Sequence, residues 1–272
     1  MHFKKSNENH SSILHEGEVP YLTFPKLEEA GVIHGFSTRM GGVSKGIYSS
    51  MNLSYHRGDD EKAVDENFRR IGEAIGFDSK KLVFSNQIHE TKIHKVTRED
   101  CGKVMTHMDG LVTNEKGIPM YTGYADCVPL FFYDPKEEVA AMAHSGWRGT
   151  VKRIGAKMVG VMEKEYGCQR ENIIAAIGPS ICRDCYEVSQ NVADAFRKEL
   201  KGHEETEYMD AKGNGKFQLD LWKANEIILL EAGIRKEHLD VTDLCTCCNS
   251  DLLFSHRASK GKRGNLGAFI ML

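Results

Sequence analysis

Residues 119–150 read PMYTGYADCVPLFFYDPKEEVAAMAHSGWRGT, and the fold is decided there. The first part is rich in aromatic and apolar residues and stops at Asp134-Pro135, a turn signal. EVAAMAHSG, residues 138–146, follows as a second apolar run and reads as a buried strand. Residues 149–166 then switch to helical period, with Val151, Ile154, Met158 and Met162 on one face. Strand, turn, strand and helix in that order predict a sheet with a helix packed on its outside.

Working outward toward the N-terminus, LVFSNQIH (82–89), TKIHKVT (91–97) and DGLVTN (109–114) read as short strands. Residues 60–75 read as a helix with Ala63, Phe68, Ile71 and Ile75 on one face and Asp59 or Asp60 as its cap. Toward the C-terminus, NIIAAIG (172–178) is a strand stopped by Gly178-Pro179. Ser189 can cap a helix carrying Val192, Phe196 and Leu200, and Asp220 can cap another that ends near Gly233. DVTDLC, LLFSHRAS and GAFIML close the chain as strand-like segments. This order predicts an α+β (mixed α/β) fold of mixed β-sheets sandwiched with outer helices. With no linker or repeat, residues 21–272 are expected to form a single domain behind a flexible lead-in over residues 1–20.

Hydrophobic residues make up 40% and charged residues 28% of the 272, enough apolar material for a sizeable core. The formal net charge of −3 gives no cationic field for nucleic acid or an anionic membrane. No apolar run approaches the roughly 20 residues that span a bilayer. The N-terminus lacks the apolar centre of a secretion signal, so the chain is expected to be cytoplasmic, its eight cysteines reduced.

Three candidate metal ligands sit next to strand ends: His89 closes LVFSNQIH, Cys127 lies in YADCVPLFF, and His144 ends EVAAMAH. Imidazole and thiolate are preferred zinc ligands, and three protein ligands leave a fourth position for water or substrate. Nothing in the spacing requires the three to meet. The alternatives are a metal-free cysteine hydrolase with Cys127 as nucleophile and His144 as base, or a non-enzymatic metal- or nucleotide-binding module. Cys182 and Cys185 form a C-x-x-C, but Cys245, Cys247 and Cys248 read as C-x-C-C, so these five are expected not to form a second metal site. FSTRMGG (36–42) is a strand running into a glycine-rich turn, where Arg39 could bind phosphate. Arg148 is its rival, at a helix start beside His144. The basic segment 256–263 reads as a solvated loop. No nucleotide-binding glycine motif supports ATP or dinucleotide use.

FSTRMGG, SNQIH, DGLVT, ADCVPL, AHSGWRGT, IGPSIC, CYEV and LCTCC…LFSHR resemble the YfiH/YlmD family, also called the laccase-domain or multicopper polyphenol oxidase family. The resemblance runs from about Gly31 to the C-terminus, and ADCVPL followed by AHSGWRG is its most specific part. It implies a zinc site on His89, Cys127 and His144, which would also be the catalytic residues. It implies purine nucleoside phosphorolysis: adenosine, inosine or S-methyl-5'-thioadenosine plus phosphate gives base and ribose 1-phosphate, with adenosine deaminase activity as a second reaction. Purine nucleosides and phosphate would then be the partners, with Arg39, Asp109 and Arg148 as candidate substrate- or phosphate-binding residues. The oxidase name implies copper. Multicopper centres need many histidines, and the chain has no H-x-H pair, so zinc is favoured.

Overall fold

The computed structural model describes residues 1, 3–5 and 11–272. The two apolar runs pair as an antiparallel hairpin, Val128–Asp134 against Val139–Ser145, with every residue of both strands buried. They are the centre of a six-stranded sheet ordered Leu239–Val241, Ile174–Ile177, Val128–Asp134, Val139–Ser145, Gly110–Thr113 and Ile93–Lys95. Successive side chains alternate between two cores, because strand side chains point to opposite faces. Leu130, Phe132, Val139, Ala141 and Ala143 pack with Met158, Met162, Phe196 and Ile228 of the helices. Phe131, Tyr133, Ala140 and Met142 pack with Phe36, Met120, Leu266 and Ala268 of a second sheet. Covering both faces explains why neither run alternates with polar residues.

The second sheet has seven strands, ordered Ile13–His15, Tyr21–Thr23, Ile33–Ser37, Leu266–Met271, Met120–Tyr124, Val83–Asn86 and Val104–Thr106. On its outer side lies the helix Glu61–Ile75. It starts where Asp60 accepts the Lys62 N–H at 3.0 Å and stops at Gly76, whose φ of 101° is open to glycine. Val64, Phe68 and Ile71 of this helix meet Tyr121 and Phe269 of the sheet. The order is therefore helix, sheet, sheet, helices: a single mixed α/β domain with its helices outside, as the alternation of elements predicts. A three-stranded sheet, Glu187–Ser189, Lys216–Leu219 and Met209–Gly213, extends one end. Among the described residues, no helix is long and apolar enough to cross a membrane.

Several expectations are corrected. Val64, not Ala63, faces the core from the first long helix. Residues 149–166 are two helices, Trp147–Val151 and Ile154–Tyr166, parted where Arg153 takes a φ of 59°. Ser189 precedes the helix Gln190–Glu199, but its hydroxyl donates to Asn191 and caps no backbone N–H. LLFSHRAS contains no strand and runs as successive turns. The expected lead-in falls partly outside the described residues, at 2 and 6–10, while Ile13–His15 is an edge strand paired with Tyr21–Thr23.

Candidate active site

The hairpin register places two chemistry-bearing residues side by side. Ser145 is opposite Val128 and His144 opposite Pro129, so Cys127 enters the hairpin where His144 leaves it. Asp109, just before the neighbouring strand, accepts the His144 N–H through its carbonyl at 2.7 Å. His89 lies on the segment that crosses from Val83–Asn86 of one sheet to Ile93–Lys95 of the other. The Asp109 carboxylate captures that crossing. Its oxygens accept the backbone N–H of Ile88 at 3.2 Å, His89 at 2.9 Å and Glu90 at 2.9 Å, and pair with His144 Nδ1 at 3.0 Å. With Nδ1 engaged, His144 turns Nε2 toward the cluster. One ligand atom from each of His89, Cys127 and His144 lies within 4.8 Å of the others.

Burial raises the Asp109 carboxyl, but hydrogen bonds from His144 and the Glu90 N–H outweigh it, and the group sits below the ordinary carboxylate value. Burial likewise pushes the Cys127 thiol up, yet the His144 charge, with hydrogen bonds from both imidazoles, brings it down to about 6. Burial pulls His144 down, and the Cys127 charge and Asp109 raise it to about 9. Each group thus favours the charged form of the other, thiolate beside imidazolium. Two imidazoles, one thiolate-prone sulfur and a carboxylate behind one imidazole form a donor set that fits zinc.

Gly146 makes the convergence possible. A Cβ there would stand 3.0 Å from Cys127 Sγ, 3.2 Å from His89 Cδ2 and 3.6 Å from His144 Cε1. Behind the site, buried Ser145 donates to Asn225 at 2.8 Å and is 2.9 Å from the Thr150 hydroxyl, tying the strand end to two helices.

The trio opens into a cavity of about 530 Å³, within the roughly 300–1,000 Å³ of small-molecule sites. One wall is aromatic: Tyr55 stacks on Phe68, and Phe84 meets Phe68 and Tyr121 edge-on. Arg263 and Arg57 also line it. Arg263 is 7% exposed, its Nε has no hydrogen-bond partner, and no carboxylate pairs with it among the described residues. Burial, then the charge of Arg57, pull its guanidinium down to about 10. Asp126 and Cys127 pull it the other way, and its Nη1 donates to Gly264 O at 3.2 Å, so its desolvation is only partly offset and an incoming anion would relieve the rest.

The other anion-binding candidates lie outside this cavity. Arg39 does not line this cavity. Its Nε and Nη2 donate to Ser49 O at 2.9 and 2.7 Å, its Nη1 donates to Ser250 O at 2.7 Å, and its guanidinium lies 4.6 Å over Phe254. Arg148 is exposed and stacks on Trp147 at 4.4 Å, also outside it. Asp109 faces backbone and His144, and does not line the cavity. The solvated loop expected over 256–263 instead ends in the buried Arg263. The one available signal was Gly261-Lys-Arg263-Gly-Asn265 running directly into the apolar LGAFIML. We expect Arg39→Lys to lower the melting midpoint by roughly 2–6 °C, through two lost hydrogen bonds. Phosphate dependence should not change, and calorimetry with steady-state kinetics separates the two effects.

Residues 33–272 match the family described as multi-copper polyphenol oxidoreductase laccase. The chain belongs to this family. It is 39% identical over 246 residues to the protein named purine nucleoside phosphorylase YlmD in Bacillus subtilis, covering 88% of each chain. It is 37% identical to the Geobacillus stearothermophilus protein of the same name, covering 89% of this chain and 90% of that one. The solved structure of YlmD from Geobacillus stearothermophilus superposes with a TM-score of 0.91 at 35% identity, covering 96% of this chain and 98% of that one. A Bacillus licheniformis protein titled YfiH gives a TM-score of 0.90 at 33% identity, covering 95% and 98%. Despite the family's copper-oxidase description, the metal-capable groups among the described residues are two: the His-Cys-His trio and a set of four thiols. Neither is a multinuclear array of histidines.

Proposed function

We propose that this chain is a zinc-dependent purine nucleoside phosphorylase acting on adenosine, inosine or S-methyl-5'-thioadenosine. The observation that carries this is the pairing, in one cavity around the His-Cys-His trio, of an aromatic wall with a buried arginine whose Nε has no partner. The relatives' names support the same reaction. The rings of Phe68, Phe84 and Tyr121 offer a purine base an apolar surface. Arg263, with Arg57, attracts and orients phosphate, whose oxygen forms the new bond to the ribose anomeric carbon as the bond to the base breaks. His89, Cys127 and His144 would hold the zinc, and Asp109 fixes the His144 tautomer. When bound, the ion supplies Lewis-acid stabilisation of developing charge on an oxygen or on the departing base. Adenosine deamination at the same site is a second activity of this reading.

One observation favours a rival. Cys127, His144 and Asp109 form a nucleophile, base and orienting acid, the arrangement of a metal-free cysteine hydrolase. Such an enzyme has no use for His89 at the same point, which is why the metal reading is preferred. The deciding experiment incubates zinc-loaded protein with each nucleoside, with and without phosphate. Free base and ribose 1-phosphate formed only with phosphate are expected, and inosine formed from adenosine without phosphate would identify deamination. Full activity in protein freed of metal would replace this reading with the hydrolase. Arg263→Lys should raise the Michaelis constant for phosphate about tenfold or more at unchanged metal content, because a point charge cannot reproduce the guanidinium fork. An unchanged constant would remove Arg263 from the anion site.

A further inference from the structure

Four thiols from two distant stretches meet beside Asp126, the residue before Cys127. Cys182 and Cys185 come from the turn after Pro179, Cys245 and Cys248 from the loop after Leu239–Val241. Their sulfurs all lie within 4.8 Å of one another. Cys185 Sγ is 3.5 Å and Cys182 Sγ 4.0 Å from Cys248 Sγ, and all four cysteines are free. A tetrahedral ion with metal–sulfur bonds of about 2.3 Å sets its sulfurs about 3.8 Å apart, so these separations bracket the edge of such a site. A disulfide would need about 2.05 Å. The backbone N–H groups of Cys182 and Cys248 donate to Cys245 Sγ at 3.3 and 3.4 Å, hydrogen bonds that favour a thiolate.

This convergence runs against the expectation that these thiols are not a metal site. Cys245 and Cys248 are themselves a C-x-x-C, matching Cys182 and Cys185, and Cys247 between them made the stretch read as C-x-C-C. Cys247 packs on the core and stands outside the group. Paired C-x-x-C units are the usual framework of a four-thiolate structural zinc.

We propose that Cys182, Cys185, Cys245 and Cys248 bind one structural zinc ion that clamps the two loops together behind the active site. Four protein ligands leave no open position, so the ion holds structure and does no chemistry. The clamped loops grip Asp126. Ile181 N donates to its carbonyl at 3.1 Å, and the Thr246 hydroxyl to its carboxylate at 2.7 Å. Asp126 holds a φ of 84°, a left-handed conformation that a non-glycine residue keeps only under such constraint, and it sets the direction in which Cys127 leaves. The thiolate zinc is thus a positioning device for a ligand of the other site. The assignment does not depend on the phosphorylase reading.

The test is metal analysis of the full chain purified from zinc-supplied cells. Two zinc ions per chain are expected in the wild-type protein. One should remain in the His89→Ala/His144→Ala double variant, with a sulfur-only shell at about 2.3 Å by X-ray absorption. Cys248→Ser and Cys185→Ser should each lose that ion, with a melting midpoint lower by roughly 5–10 °C. Should the serine variants not fold, the double variant decides alone, since its four thiols are native. A double variant that holds no zinc, that holds iron instead, or that shows a disulfide among these cysteines on non-reducing peptide mapping would overturn the proposal.

Discussion

Asp109→Ala is expected to lose the active-site metal and to unfold at much lower denaturant, with stability reduced by about 3–5 kcal/mol. Asp109 is 0% exposed, and its two oxygens serve the N–H groups of Ile88, His89 and Glu90 as well as His144 Nδ1. Alanine leaves the N–H donors of Ile88, His89 and Glu90 without their acceptor; these residues are exposed, so only those N–H groups that water cannot reach cost about 1–3 kcal/mol each. It also frees His89 from a φ of 61°, a conformation that costs a non-glycine residue of order 1 kcal/mol or more. Both imidazoles lose their aim together, because one carboxylate orients one and carries the backbone of the other. Asp109→Asn is the sharper variant. It keeps the shape but turns an amide donor toward groups that are themselves donors, and should weaken metal affinity about 10–100-fold with a smaller loss of stability. Competition against a chromophoric chelator and urea unfolding measure the two effects. An asparagine variant with wild-type metal affinity would remove Asp109 from this role.

Gly146→Ala should abolish metal binding at the His-Cys-His trio while leaving the fold nearly intact. The backbone at Gly146 has φ −68° and ψ 170°, which alanine adopts freely, so the effect is steric. The added methyl would lie 3.0 Å from Cys127 Sγ and 3.2 Å from His89 Cδ2, closer than carbon packs against either atom. The two side chains must separate, and they are the ones that have to converge. We expect activity to fall about 100-fold or more, since misplacing a catalytic group by about 1 Å has that effect. The melting midpoint of metal-free protein should move by only a few degrees. Wild-type zinc content in this variant would show that the trio is not the ligand set.

The period and punctuation of residues 119–166 determined the central hairpin and the helices behind it, since apolar periodicity and Pro/Gly stops are local properties of the chain. Asp60 before a helical period, and the turn at Asp134-Pro135, were legible for the same reason. The identities of His89, Cys127 and His144 were legible as ligand chemistry and through the family motif, but residue spacing alone left their meeting open. Tertiary structure decided that meeting. The three lie on a sheet crossing and at the mouth of one hairpin, brought together by strand register and by a single buried carboxylate. It also decided which arginine faces the cavity. Arg39 and Arg263 are alike as sequence, each within two residues of a glycine, and only packing commits one guanidinium to backbone carbonyls and leaves the other with a buried, unsatisfied nitrogen. The four thiols follow the same rule: a pair separated by two residues is local, but two pairs 60 residues apart become one site only where the folded backbone closes the loop between them.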